Sequence, residues 1–170
     1  MKKILFFCLV LCFTFTQNTF ASAVEYQLAW PGMLPDNKIY KLKVLRNKII
    51  ERMIIGPVKK IEFDLLMADK TIYASKLLVE KGEIDLALET VLKGENYYSI
   101  LVQDYNHALL QNKKIPQELD RKITLAVIKH QAVFKELGGK VDGKNRETFQ
   151  IVNNFSKINY NFIVGLRTQD

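Results

Sequence analysis

The chain has 170 residues, a formal net charge of +7 and two cysteines, Cys8 and Cys12. Both cysteines fall in the first apolar run, so the rest of the chain can form neither a disulfide nor a cysteine metal site. What remains after that run has the length of one domain, whose stability must come from its core.

The first 23 residues are predicted to be a secretory signal peptide. Two lysines precede an apolar run over residues 4–15, and Ala21 and Ala23 supply the small residues of a cleavage site after Ala23. The run is shorter than the roughly 20 residues that a membrane-spanning helix needs, and no later stretch reaches that length. We therefore expect an exported protein, periplasmic or extracellular after cleavage.

The rest of the chain is predicted to be all-α. An extended leading segment over residues 24–35 would precede a single helical domain over residues 36–170. Between its breaks, the apolar residues repeat with a period near 3.6 and show no sustained alternation. The fold class expected is an antiparallel helical bundle or hairpin of four to five helices. The breaks are Gly56-Pro57, Gly82, Lys114-Ile115-Pro116, and Gly138-Gly139 running on to Gly143.

The first two helices have recognisable ends. The first should begin at Asp36 or Asn37, either of which can cap it, and end near Gly56. Pro57 suits the first position of the second helix, which should end at Gly82. The apolar stripe of the first helix comprises Leu42, Leu45, Ile49 and Met53, and that of the second comprises Val58, Ile61, Leu65, Ala68, Ile72 and Val79.

The third helix shows a heptad-like register that continues to about Asn112. Gly94 and Glu95 interrupt its stripe, so a bend or break is expected there. The fourth helix should span about 116–137 and the fifth about 146–166. The third-helix register comprises Ile84, Leu88, Val91, Tyr98, Val102, Tyr105 and Leu109. One face of the fifth helix carries Ile151, Phe155, Ile158 and Phe162, and the other carries Asn153, Asn154, Lys157 and Asn161.

The opening of the predicted domain matches a pattern of fixed offsets. It reads "PGMLPDNKIYKLK" over residues 31–43, followed by the Gly56-Pro57 break, "VKKIEFDLLMADK" and "LLVEKGEIDLAL". Over residues 28–92 the chain resembles a family of uncharacterised exported bacterial proteins, catalogued as a domain of unknown function. The resemblance implies a signal peptide and a long helical hairpin. It implies no activity, and residues beyond 96 have no counterpart in it.

Positive charge is concentrated in the first helix. Between positions 38 and 52 there are six basic residues and one acidic residue, Glu51, while the rest of the predicted mature chain is neutral overall. A cationic amphipathic helix of this kind can bind an anionic membrane surface or an acidic polymer, and a solvated face is the alternative interpretation. Nucleic acid is not an expected partner of an exported protein. The basic residues are Lys38, Lys41, Lys43, Arg46, Lys48 and Arg52.

Two aromatic residues flank the turn that leads into this helix. Tyr40 can pack against Trp30 or Leu34, which would make the motif purely structural. Alternatively, Trp30 and Tyr40 could build a groove for a peptide or an envelope protein, because aromatic residues are enriched at interfaces.

Catalytic and metal chemistry are poorly represented. The only histidines are His107 and His130, with no nucleophile, phosphate loop or dinucleotide fingerprint in a recognised spacing. His107 should face water, where Asp104 could join it in only a two-ligand metal site. His130 falls in phase with apolar positions and should be a hydrogen-bonded interior residue. No catalytic residue, metal or cofactor is therefore predicted.

Together these patterns predict an exported interaction or scaffold module of the cell envelope, without catalytic activity. The alternative is a periplasmic or extracellular bundle that binds a small ligand or metal between its helices. That alternative requires a sizeable apolar cavity or converging acids.

Overall fold

A computed structural model describes residues 26–168, so the predicted signal peptide and its cleavage site lie outside the described residues. This part of the chain forms five helices and contains no strand. The predicted all-α fold is confirmed. The helices are α1 (Tyr40–Met53), α2 (Pro57–Glu80), α3 (Ile84–Leu110), α4 (Gln117–Lys140) and α5 (Gly143–Arg167).

Helices α2 to α5 form a four-helix bundle. Short connections make α2 and α3 one hairpin and α4 and α5 a second, and the hairpins meet through α3 against α5 and α2 against α4. Helix α1 lies outside this bundle and buries none of its residues. No helix among residues 26–168 is both long enough and apolar enough to cross a membrane.

The bundle core has two apolar clusters with polar side chains between them. One cluster is centred on residues such as Ile61, Leu101 and Ile123, and the other on Ile72 and Phe134. The predicted stripes of α2 and α3 are confirmed, since their members are either buried or packed against a cluster. The buried polar residues between the clusters come from all four helices and include Asp69, Glu95, His130, Asn153 and Ser156.

The ends of α2 follow the local sequence, but other predicted boundaries are wrong. Pro57 occupies the first turn of α2, and Gly82 adopts a left-handed φ of +81° just after the helix ends. Helix α4 continues through the predicted break at Gly138-Gly139 to Lys140, and α5 begins at Gly143, earlier than predicted. Helix α1 begins at Tyr40, later than predicted, because Asp36 bonds Lys81 instead of capping the helix. The Asn37 side chain accepts a hydrogen bond from the Ile39 amide within the preceding turn.

The predicted break at Gly94 does not occur, because α3 is continuous from Ile84 to Leu110. Gly94 is buried where α3 crosses Ile72 of α2, and a Cβ built on it would lie 2.6 Å from Ile72 Cγ1. The glycine therefore serves close helix packing. Its cost in helix propensity is offset by that contact rather than relieved by a break.

The apolar stripes of α1 and α5 both face away from the bundle. An apolar stripe ordinarily packs against the core, yet the four predicted residues in each of these helices are exposed. In α5 the packed face is instead formed by Phe149, Val152, Asn153, Ser156 and Ile163. The interpretation of Asn153 as part of the opposite, polar side is thus wrong, since this residue is buried against the bundle.

Candidate membrane-binding helix and the groove behind it

Helix α1 is held beside the bundle by polar contacts rather than by apolar packing. Glu51 forms a 2.9 Å salt bridge with Lys60 of α2, and the Asn47 side-chain amide lies 3.6 Å from Met67 Sδ. Lys43 Nζ donates to the carbonyls of Pro31 and Met33, at 2.7 Å each. The polar side of α1 is therefore turned inward.

The outward side of α1 carries its apolar stripe. Leu42 is 65% exposed and Met53 is 73% exposed, and Leu45 and Ile49 between them are each more than half exposed. Ile39, Ile50 and Ile55 extend this surface at its edges and ends. Exposed apolar residues grouped in this way are typical of surfaces that bind a partner or a membrane. We call Leu42, Leu45, Ile49 and Met53 the α1 stripe.

Exposed cations border the α1 stripe on both sides. At roughly 100° per residue, Lys41, Lys48 and Arg52 lie along one flank and Arg46 lies along the other. Lys38 is exposed in the turn just before the helix. The structure thus brings together five of the six basic residues that the sequence singled out.

Lys43 is the exception among the predicted basic residues. Its ammonium group is half-buried beneath α1 and bonded to two carbonyls, so it belongs to the inner face. Burial lowers its pKa from the ordinary value, and the nearby charges of Lys70 and Arg46 lower it further. Its contacts position α1 against the leading segment.

Trp30 and Tyr40 have different neighbours. The Trp30 ring makes an edge-to-face contact with Tyr73 of α2, with ring centroids 5.4 Å apart, and remains largely exposed. Tyr40 lines a separate groove between α1 and the α2–α3 hairpin, where partial burial raises the pKa of its phenol.

The groove behind α1 has a volume of about 690 Å³. Its lining is mostly apolar, with charged side chains at intervals, and it was not apparent from the sequence because no stripe marks it. The lining residues include Tyr40, Val44, Asn47, Lys48, Glu51, Met67, Leu92, Tyr97 and Ile100.

The histidines occupy the kinds of site that the sequence predicted. His130 is fully buried, and its Nε2 lies 2.7 Å from Asp69 Oδ1. Tyr26 donates a 2.6 Å hydrogen bond to the other oxygen of Asp69, so this carboxylate ties the leading segment to α2 and α4. His107 is exposed beside Gln111.

Another buried acid, Glu95, lies between α3 and α5. Glu95 accepts a hydrogen bond of 2.8 Å from Asn159, and its other oxygen has no partner within residues 26–168. Burial raises the pKa of Glu95 to about 8, against the opposing effect of the Asn159 hydrogen bond. No group of three or more His, Cys, Asp or Glu side chains in the described part of the chain is arranged to hold a metal ion.

No protein-family model, curated protein or solved structure matches this chain. The resemblance of residues 28–92 to an exported family therefore stays a prediction from the sequence.

Proposed function

We propose that this chain is an exported interaction module that binds the anionic surface of a membrane through α1. The observation that carries the proposal is the outward direction of the α1 stripe, between flanks of exposed lysine and arginine. A helix with this arrangement lies in the plane of the membrane interface, with apolar side chains inserted and cations among the lipid headgroups.

Within residues 26–168, the fold makes no use of the α1 stripe. Because α1 buries none of its residues, these apolar side chains contribute little to the core. The opposite side of the helix is occupied by the Lys43, Asn47 and Glu51 contacts, which fix its orientation. We therefore assign the stripe to binding rather than to folding, and propose no catalytic role for the domain.

The expected strength of this binding depends on salt. Each Lys or Arg near an anionic surface contributes about 1 kcal/mol, and this contribution falls off within a Debye length. Four flanking cations would supply a few kcal/mol, to which insertion of the stripe adds. Binding should accordingly be strong on anionic vesicles at low salt and weak on neutral vesicles.

Vesicle co-sedimentation of the chain from residue 24 onward tests the proposal. Vesicles of phosphatidylcholine, with and without phosphatidylglycerol, are compared at low and high salt. We expect the wild type to bind the anionic vesicles at low salt. Changing Lys41, Arg46, Lys48 and Arg52 to Gln should weaken that binding by at least tenfold, and so should the pair Leu45→Gln and Ile49→Gln.

A charge-matched control distinguishes the α1 surface from net charge. Changing Lys113, Lys114, Lys144 and Lys157 to Gln removes the same charge from exposed positions elsewhere. This variant should bind like the wild type. Equal weakening by both four-residue variants, or no binding by the wild type, would contradict the proposal.

The groove favours a second candidate function, the binding of a small apolar ligand. Its volume lies within the range of ligand sites, and its lining is mainly apolar. A fluorescent fatty acid serves as the probe, and Val44→Trp, which fills the groove, should weaken its binding. Ile128→Trp on the exposed side of α4 is the control. Equal binding to wild type and Val44→Trp would rule the groove out.

A further inference from the structure

Helix α5 carries an exposed apolar stripe that the α1 proposal does not involve. Ile151 is 47% exposed, Phe155 56%, Ile158 63% and Phe162 50%. These four side chains lie on one side of α5, and we call them the α5 stripe. The residues that α5 packs into the bundle form a different side of the helix and are buried.

The spacing of the α5 stripe is that of a helix-pairing seam. Its members follow one another at intervals of four, three and four residues, which is the repeat of the a and d positions of a coiled coil. The stripe extends for roughly 16 Å along α5, at about 1.5 Å per residue. It therefore fits a second helix laid along it.

Most polar residues beside the α5 stripe are uncharged. Between positions 150 and 162 the only charged residue is Lys157, which lies on the same flank as the amides but farther from the stripe. Gln150, Asn154 and Asn161 are exposed along the same flank. Amides both donate and accept hydrogen bonds, so the amides of one copy can pair with amides of the other across a two-fold axis, whereas like charges would repel.

We infer that the α5 stripe binds the α5 stripe of a second copy of this chain, forming a symmetric homodimer. The two-fold symmetry juxtaposes identical surfaces, which suits an apolar seam flanked by self-complementary amides. It contrasts with the α1 stripe, whose flanking cations would repel their own copies and instead suit an anionic surface.

The area available fits a weak dimer. Taking about 200 Å² for a fully exposed large side chain, the α5 stripe offers roughly 400 Å² of apolar surface per copy. With the flanking amides, the two copies would bury about 1,000 to 1,200 Å², at the low end for specific interfaces. We therefore expect reversible association with a dissociation constant on the order of 10–100 μM.

Sedimentation velocity of the chain from residue 24 onward tests the inference in buffer without lipid. From 5 to 500 μM, the wild type should shift reversibly from monomer to dimer. The variant with Phe155→Gln and Ile158→Gln should associate at least tenfold more weakly. The control with Leu45→Gln and Ile49→Gln loses as many exposed apolar residues from α1, and it should dimerise like the wild type.

Disulfide cross-linking provides a second measurement that is independent of the stripe variants. Because both native cysteines lie in the predicted signal peptide, cysteines can be introduced into a thiol-free chain. We expect the double variant Asn154→Cys and Asn161→Cys to form dimers cross-linked between the two positions on mild oxidation, and Lys114→Cys in the α3–α4 connection to form few.

Three results would overturn the inference. The first is a wild type that remains monomeric at 500 μM. The second is association that the α1 variant weakens as much as the α5 variant does. The third is cross-linking that is as efficient at position 114 as at positions 154 and 161.

Discussion

Gly94 of α3 lies directly against Ile72 of α2, and any larger residue at position 94 would collide with this isoleucine. A Cβ on Gly94 would lie 2.6 Å from Ile72 Cγ1 and 3.3 Å from the Ile72 backbone nitrogen. Rotating the isoleucine side chain could relieve the first contact, but the second is a tight approach to the backbone, which moves less easily. The separation of α2 and α3 therefore depends on this glycine.

Gly94→Ala should lower the free energy of unfolding by about 1–3 kcal/mol, the usual cost of overpacking a core. In an open helical position the same change would stabilise the protein, because alanine favours the helix by up to about 1 kcal/mol. Urea unfolding measures the change in unfolding free energy for each variant. Gly139→Ala is the matched control, since a Cβ there meets nothing within 4 Å. Stabilisation by Gly94→Ala would show that the helices are not in close contact.

The buried carboxyl of Glu95 should make stability depend on pH. Because its pKa is raised from 4.5 to about 8, the folded state retains its proton at pH values where the unfolded chain has lost it. The protonated side chain's contribution is complete below pH 4.5 and is lost as the pH rises toward 8. The free energy of unfolding should therefore fall as the pH rises from 4.5 to 8.

Glu95→Gln should remove that loss, because an amide of the same shape stays neutral and can still accept from Asn159. At pH 8 we expect the variant to be more stable than the wild type by on the order of 2–4 kcal/mol, with a much smaller difference at pH 5. Urea unfolding at both pH values gives the comparison. Glu118→Gln, on the surface, should show no such pH dependence. A constant difference between wild type and Glu95→Gln would refute the assigned burial effect.

Asp69 joins three parts of the molecule through Tyr26 and His130. Asp69→Ala leaves both partners without their acceptor, and we expect a loss of on the order of 3 kcal/mol in unfolding free energy. Tyr26→Phe removes one hydrogen bond to the carboxylate and should cost about 1.5–3 kcal/mol. In the Asp69→Ala background, the tyrosine change should cost much less. Additive losses in this double-mutant cycle would show that the two side chains do not interact.

The sequence predicted the helices well but not which faces meet. Periodicity placed the residues of the α1 and α5 stripes on single faces, as the structure has them. It could not show that the bundle would pack against the other side of each helix, because that choice depends on positions contributed by distant segments. Helix α5 has a second face that can pack against the bundle, formed by Phe149, Val152, Ser156 and Ile163. At Gly94, local helix propensity predicted a break, but the helix is continuous because the glycine packs against Ile72.

Substitution within the two exposed stripes should leave folding nearly unchanged. Ile49→Gln in α1 and Ile158→Gln in α5 replace side chains that are more than half exposed, so the unfolding free energy should change by about 0.5 kcal/mol or less. Ile61→Ala in the core should cost roughly 2–5 kcal/mol because it leaves a cavity. Thermal and urea unfolding of dilute monomer, without lipid, make the comparison direct. A loss above about 2 kcal/mol in either stripe variant would mean that its face packs within the folded chain. The corresponding binding proposal would then fail, because the same side chains cannot be buried in the core and also be free to meet a membrane or a second copy.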